Sequence, residues 1–421
     1  MLFYLCQSKS KPLAQNLLYL IIAFITAEFI LAQVLEYLNM QTWAQPVPDE
    51  LKDLYSGDTY IKAKAYAEDK YKVSTLSGIL SFCITIGFLC FHGFALVDSI
   101  ARNITDNNIL QGLLFFAFIT LGSSIINLPI EWYSTFVIEE KYGFNKTTVV
   151  TFITDKIKGA LVGAVLGGGI YALLAYLFGL LGGYFWLAGW LVVSGFSIFI
   201  AAFYTSVLLP IFNKLTPLDS SDLRTNIEAY ATKVAFPLTN IMVMDGSKRS
   251  SKANAFFSGM GSRKSIVLYD TLINTMNNDE ITAVLAHEVG HYKKKHVTQS
   301  IVLSVIQMGV LFLLFGAVAQ LPVMAKVLGA QQNSFYLSLI TFSMLYSPAS
   351  TIVGLFMNLF SRKNEYEADN YAMTTYGAAP LISSLKKLNV NQLSNPQPHP
   401  AYVFVHYSHP TLLQRIRAMK D

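Results

Sequence analysis

The sequence predicts a mainly α-helical, polytopic membrane protein with a smaller α+β portion outside the bilayer, and three observations carry that prediction. The chain of 421 residues is 53% hydrophobic and only 14% charged, outside the usual balance of soluble globular domains. Seven apolar stretches recur at 14–36, 75–98, 109–130, 159–181, 184–209, 299–320 and 335–360, and each suits a hydrocarbon core of about 30 Å, which takes about 20 helical residues to cross. Only two polar segments, 211–298 and 361–421, are long enough to fold outside the membrane. The expected organisation is therefore a five-span membrane domain over 1–210, a polar segment over 211–298, two further spans over 299–360 and a second polar segment over 361–421.

The first stretch is read as a retained span, because it contains Glu28 and no small-residue cleavage pattern follows it. With seven spans, connecting segments alternate between the two sides. One side then holds only Lys9, Lys11, Arg102 and Lys326, and the other the remaining 27 of 31 Lys and Arg. That asymmetry places the C-terminus and both polar segments in the cytoplasm. The net charge of +5 restates this bias and implies no nucleic-acid partner. Cys6, Cys83 and Cys90 form no disulfide framework and are expected to pack in apolar surroundings. Gly159, Gly163 and Gly167, at four-residue spacing, read first as a helix-packing face and alternatively as a lipid-facing groove or cavity wall.

Within 211–298 an amphipathic helix is expected near 221–235, then two short β-rich runs, Asn240 to Met244 and Ser265 to Tyr269, forming a small sheet. Asn277, Asn278 and Asp279 are N-cap candidates for a helix that runs from Glu280 through His296 towards the sixth span. Residues 391–400, rich in Asn, Gln and Pro, read as an irregular loop.

The helix from Glu280 carries His287-Glu288-Val289-Gly290-His291. Residues four apart share a helix face, so both imidazoles can reach one Zn²⁺, while Glu288, about 100° round, faces an open coordination position where it can take a proton from water. One zinc per chain is expected. A third ligand must come from elsewhere, and Glu365 in Asn364-Glu365-Tyr366-Glu367-Ala368-Asp369 is the candidate, with Asp369 on the same face to accept a hydrogen bond from a ligand imidazole. Glu367 points elsewhere, solvated or paired with a base. His296, about 140° round from His291 on a continuous helix, is rejected as a ligand. His399 reads as a surface residue and His92 as a hydrogen-bonded interior one. Glu28, an ionisable group within a span, implies solvent inside the bundle. The short distances from His291 and Glu365 to their neighbouring spans put the metal near the cytoplasmic membrane surface, which suits membrane-anchored peptide or protein substrates.

The sequence resembles the integral-membrane zinc CAAX prenyl proteases of the a-factor-converting type. Besides the HEVGH run, the resemblance is carried by Tyr133 to Lys146, Pro210 to Leu218, Asn254 to Gly259, Ser361 to Asp369, and Ser408-His409-Pro410 with Arg415. It implies a seven-helix barrel around a water-filled chamber, closed at its cytoplasmic end by a gluzincin-type α+β catalytic domain. It further implies that Asn254 and Ala255 lie on an edge strand that pairs with the substrate backbone, that His409 stabilises the oxyanion and that Arg415 supports the site. Taken without the resemblance, His409 and Arg415 read as structural.

The resemblance also implies removal of the C-terminal tripeptide from prenylated proteins. The short loop between spans six and seven and the Met419-Lys420-Asp421 ending favour a bacterial inner membrane over an endoplasmic reticulum membrane, and the natural substrates of a bacterial relative need not be prenylated. A quality-control or regulatory protease for membrane proteins is the alternative on the same chemistry. A transporter with a structural metal is the rival from another class, disfavoured because a structural zinc is normally closed by four protein ligands.

Overall fold

The computed structural model describes residues 2–55, 57–258 and 264–420, without the side chains of 2–11, 258 and 264. Gly259 lies outside these residues, and the side chains of Cys6, Lys9 and Lys11 are likewise not among those described. The seven apolar stretches fall mainly on long helices, Leu2–Gln41, Gly57–Cys90, Asn108–Tyr133, Val149–Leu181, Phe185–Phe203, His296–Val318 and Phe335–Thr375, although the second, expected over 75–98, breaks after Cys90 and ends on the separate helix Gly93–Ile104. The fourth and fifth adjoin so closely, through the 3₁₀ turn Gly182–Tyr184, that by helix continuity they form one run from Val149 to Phe212.

These helices are thinly packed. In their most apolar windows only 6–17% of residues are buried, whereas a solid bundle buries one face of every helix. Apolar side chains therefore stand open on more than one face, as they do when helices ring a chamber and meet lipid outside. The glycine series fits this openness rather than the packing face read first. A Cβ placed on Gly159, Gly163, Gly167 or Gly169 would meet nothing within 4 Å. Cys83 and Cys90, expected in apolar packing, are likewise exposed, because the helix carrying them has few neighbours. Glu28 is half-buried and accepts hydrogen bonds at 2.7 and 2.8 Å from Ser347 Oγ, which ties the first helix to the last at mid-span. His92 departs from its expected interior place. It is exposed and ends the second helix in a left-handed conformation at φ 55°.

The chamber is closed at the end away from the polar segments by a dense aromatic cluster that includes Phe115, Phe185, Phe315, Phe335 and Tyr336. Beside it the buried Asp98 accepts from Arg102 Nε with both oxygens, at 3.0 and 2.9 Å, and from the Tyr336 hydroxyl. At the opposite end, Trp43, Tyr66, Ile138, Tyr142 and Phe144 from the 41–74 and 131–158 connections pack against Leu393, Leu412 and Ile416. Both basic connections thus lie on the side of the C-terminal segment, as alternating spans require.

The polar segments fold into a single core. Strand β1 (Leu215–Pro217) pairs antiparallel with β2 (Leu238–Met244), and β2 pairs parallel with β4 (Lys264–Tyr269). The fourth strand in turn pairs antiparallel with β3 (Ala255–Ser258), giving the order β1-β2-β4-β3. The two predicted β-rich runs are thus the central pair, and β3 is an edge. Ser221 caps the helix Asp222–Lys233, and Asn277 caps Asn278–Lys293 in a capping box with Glu280. Ile227, Leu268, Leu285, Ala286, Val289, Ala372 and Leu381 join sheet and helices. One expectation fails: the motif helix does not run on into the sixth span. It ends at Lys293, Lys295 turns left-handed at φ 60°, and a new helix begins at His296.

If the glycine face is open, replacing Gly159, Gly163 and Gly167 together by Ala should raise the thermal midpoint in detergent, since Ala favours a helix over Gly by about 1 kcal/mol per position. A lowered midpoint would show that another helix packs there.

Candidate active site

The motif helix and the long helix Phe335–Thr375 cross at close range, and glycine permits it. A Cβ on Gly290 would fall 2.9 Å from Ala368 Cα, 3.0 Å from Ala368 O and 3.1 Å from Tyr371 Cβ. Ala368 is itself fully buried. This contact sets Glu365, one turn before Ala368, opposite the two motif histidines.

The three proposed ligand atoms converge. His291 Nε2 lies 3.2 Å from His287 Nε2 and 3.2 Å from Glu365 Oε1, and His287 Nε2 lies 3.5 Å from Glu365 Oε2. A tetrahedral zinc with bonds of about 2.0–2.1 Å separates its ligand atoms by roughly 3.3–3.4 Å, so the spacing fits such an ion. Glu365 Oε2 is buried and has no hydrogen-bond partner among the described residues, and the Arg415 guanidinium stands off at 3.7 Å, so a metal cation would complete a carboxylate that is otherwise only distantly paired. Among the described residues, potential ligand atoms of His287, His291 and Glu365 all lie within 4.8 Å of one another.

Around them stand the groups that fix the imidazoles. His287 Nδ1 is 2.8 Å from Asp369 Oδ1, and Arg415 spans the same carboxylate, Nη2 to Oδ1 at 2.6 Å and Nε to Oδ2 at 2.7 Å. Asp369 thus holds the proton on Nδ1 of His287 and leaves Nε2 free to ligate. His291 has a counterpart that the sequence reading missed. Its Nδ1 lies 3.0 Å from His296 Nδ1, and His296 Nε2 lies 3.2 Å from Glu367 Oε2. His296 lies outside the converging group and stands directly behind His291. It reaches that place because the helix breaks at Lys295, which removes the 140° separation of a continuous helix. Glu367 also faces Lys363 at 3.8 Å.

A cavity of about 1500 Å³ opens over the site, lined by His287, Glu288, His291, Glu365, His409, Arg415, Asn254 and Ala255, while Asp369, expected to support a ligand imidazole, is set back from it. Burial pushes the Glu288 carboxyl above the ordinary carboxylate range, although the neighbouring His287 and His291 pull it down. His409 is mostly exposed, with Nε2 3.3 Å from Glu365 Oε1 and Nδ1 2.9 Å from Ser408 Oγ. The turn that presents it is held by Arg362, whose Nη1 donates to Val403 O at 3.2 Å and to Tyr407 O, closing the end of the helix Pro400–His406. His399, read as a surface residue, is half-buried and caps the start of that helix through Nδ1.

Comparison with known proteins agrees with this architecture. Residues 36–214 match the family model described as CAAX prenyl protease N-terminal, five membrane helices, and residues 217–421 match peptidase family M48. The chain is 33% identical over 430 residues to CAAX prenyl protease 1 of Saccharomyces cerevisiae, covering 95% of this chain and 94% of that one. It is 36% identical over 414 residues to the CAAX prenyl protease 1 homolog of Arabidopsis thaliana, covering 95% and 96%. The crystal structure of S. mikatae Ste24p superposes with a TM-score of 0.90 at 33% identity, covering 96% of this chain and 98% of that one.

Two substitutions test the geometry. Gly290→Ala should force the helices apart, reducing bound zinc and lowering turnover by about tenfold or more, as displacements near 1 Å can; retention of both would remove the crossing from the account. His296→Ala should weaken zinc binding by about tenfold while the protein stays folded, measured by competition with a chelator.

Proposed function

The chain belongs to peptidase family M48, in its CAAX prenyl protease branch, and from that premise we propose that it cleaves membrane-anchored substrates with a zinc held by His287, His291 and Glu365. It is a multi-pass membrane metallopeptidase of a family that is zinc-dependent in general, which excludes the transporter reading. The observation that carries the proposal is the convergence of His287 Nε2, His291 Nε2 and the Glu365 carboxylate, one oxygen of which has no hydrogen-bond partner among the described residues, on an open cavity.

When bound, one zinc per chain supplies the Lewis acidity that brings the pKa of water towards roughly 7. Glu288 takes the proton of the attacking water and passes it to the leaving amine nitrogen, roles helped by a carboxyl that burial holds above its usual range. His409, exposed to the cavity beside Glu365, donates to the developing oxyanion. Asp369 keeps His287 in its ligating tautomer, and Arg415 neutralises the charge Asp369 carries into the interior. The edge strand beginning at Ala255, preceded by Asn254, extends the substrate backbone across the cavity by β-augmentation.

The substrate class we favour is a prenylated CAAX protein that loses its C-terminal tripeptide, a reading supported by relatives named CAAX prenyl protease 1. The concentration of Lys and Arg on the catalytic side argues for cleavage at the cytoplasmic face. A bacterial inner membrane, which the short loop between the sixth and seventh apolar stretches favours, would go with the alternative in which the substrate is not prenylated.

The test compares the detergent-solubilised protein with Glu288→Ala for bound zinc and for cleavage of a prenylated CAAX peptide and its unprenylated twin. Zinc in both, with cleavage only by the parent and only of the prenylated peptide, is the expected result. Equal cleavage of both peptides would instead favour a membrane-protein protease without prenyl dependence, and no zinc in either protein would overturn the assignment of the site.

A further inference from the structure

Residues 249–252, which lead into β3, are joined to the membrane domain at every position. Arg249 holds Asp155 with Nε to Oδ2 at 2.7 Å and Nη2 to Oδ1 at 2.9 Å, and its carbonyl accepts from Lys146 N–H and Thr147 Oγ1, both at 3.0 Å. Ser250 forms an isolated bridge with Asn145. Ser251 donates from its N–H to Phe144 O and from its hydroxyl to Gly143 O, both at 3.1 Å. Lys252 Nζ donates to Glu139 Oε2 at 2.8 Å and to Tyr66 Oη at 3.0 Å, and sits 4.3 Å from the centre of the Phe144 ring. Tyr66 donates in turn to Glu139 Oε1 at 2.5 Å. Towards its own domain, the run is tied by Thr271 Oγ1, which donates to Lys252 O at 3.1 Å.

The membrane side of this seam is built for rigidity. Ser134–Glu139 is a π-helical stretch that ends the third long helix, and such stretches collect at functional sites. The Glu139 carbonyl accepts from both Phe144 and Asn145, at 2.8 and 3.1 Å, which closes the loop tightly. Two residues after Lys252, the chain reaches Asn254 and the first residue of the edge strand at the mouth of the cavity.

We propose that residues 249–252 act as a strap by which the membrane domain sets the position of the substrate-pairing strand, with Lys252 and Arg249 as positioning residues held by Glu139, Tyr66 and Asp155. This rests on the reading of β3 as the strand that pairs with substrate. The chemical logic is one of distance. A lipid-anchored substrate is gripped at two places, its anchor among the membrane helices and its scissile peptide along β3. The span between those grips must be fixed if the bond is to arrive over the metal. The catalytic domain's own core holds the ligands through Gly290, Ala368 and Asp369, whereas the strap ties the strand to the helices.

The test measures KM and kcat on a prenylated peptide for zinc-loaded full-length Glu139→Gln, Lys252→Met, Lys252→Arg, Asp155→Asn and Asn254→Ala, together with inhibition by a small hydroxamate that has no peptide backbone. The strap requires Glu139→Gln, Lys252→Met and Asp155→Asn each to raise KM by about tenfold while kcat changes much less. Zinc content and the hydroxamate constant should stay at parental values, and Lys252→Arg should return KM towards the parent. If Asn254→Ala raises KM and the strap variants do not, the strap is overturned and the pairing strand stands. If none of them moves KM, the pairing strand itself has failed and the strap with it. Should Glu139→Gln not fold, Tyr66→Phe, which removes one hydroxyl and no charge, is expected to give the same effect at smaller size.

Discussion

The absence of a side chain at Gly290 is the constraint on which the site depends. The two helices that supply the ligands are separated by 74 positions in sequence from His291 to Glu365, and nothing local holds them at one distance. Their contact at Gly290 and Ala368 leaves no room for a methyl group between backbones. That closeness is what allows a glutamate side chain on one helix and two imidazoles on the other to meet at about the edge length of a small tetrahedron. A wider crossing would leave each group to find water, and the carboxylate would be solvated rather than aimed. The small residues are thus as much a part of the proposed metal site as the three side chains that would ligate the ion.

Given that crossing, charge balance decides the rest. Bringing a glutamate, an aspartate and an arginine into a nearly closed interior is costly unless each is paired in good geometry. Asp369 meets that condition through a two-point contact with Arg415 and a third bond to His287. Glu365 meets it less completely, because its Oε2 has no hydrogen-bond partner among the described residues and its ion pair with Arg415 Nη1 is long, at 3.7 Å. The asymmetry between two carboxylates one helical turn apart is informative. The one that is saturated serves to orient, and the one left incomplete is the one poised for a cation. His296 and Glu367 repeat the orienting arrangement on the other imidazole, nearer to solvent, so both histidines are held from behind in the tautomer that ligation needs.

Much of this was legible in the sequence, for reasons of periodicity. The i, i+4 spacing of His287 and His291, and of Glu365 and Asp369, survives any detail of the fold because it is a property of a helix alone. The apolar stretches were equally legible, since a bilayer imposes length and composition directly. What escaped were features decided by interruption or by emptiness. The role of His296 depends on a left-handed lysine at 295, and nothing in a run of three lysines marks a helix break as glycine or proline would. The glycines of the fourth stretch and the two membrane cysteines were read as packed because in most proteins a small or apolar side chain has a neighbour. In a hollow assembly that prior fails. His409 and Arg415 carried no signal of their own, and only the resemblance singled them out.

Hollowness also explains why the catalytic portion cannot be treated as a soluble enzyme tethered to a membrane. A solid bundle of spans would support the domain through one packed interface. Here the helices contact one another sparsely along their length, and the firm contacts gather at the two ends: the aromatic cluster with Asp98 and Arg102 at one, and the 41–74 and 131–158 connections against the C-terminal segment at the other. A ring fastened chiefly at its ends, with few ties between such as Glu28 to Ser347, keeps its interior free for substrate and water, but its geometry then depends on those fastenings. The polar end does double service, because the same connections that close the ring also hold the approach to the edge strand. Hydrolysis next to a membrane requires the scissile bond to leave the lipid and meet water at one fixed place. The fold satisfies this by making the closure of the chamber and the alignment of the cleft depend on one shared set of contacts.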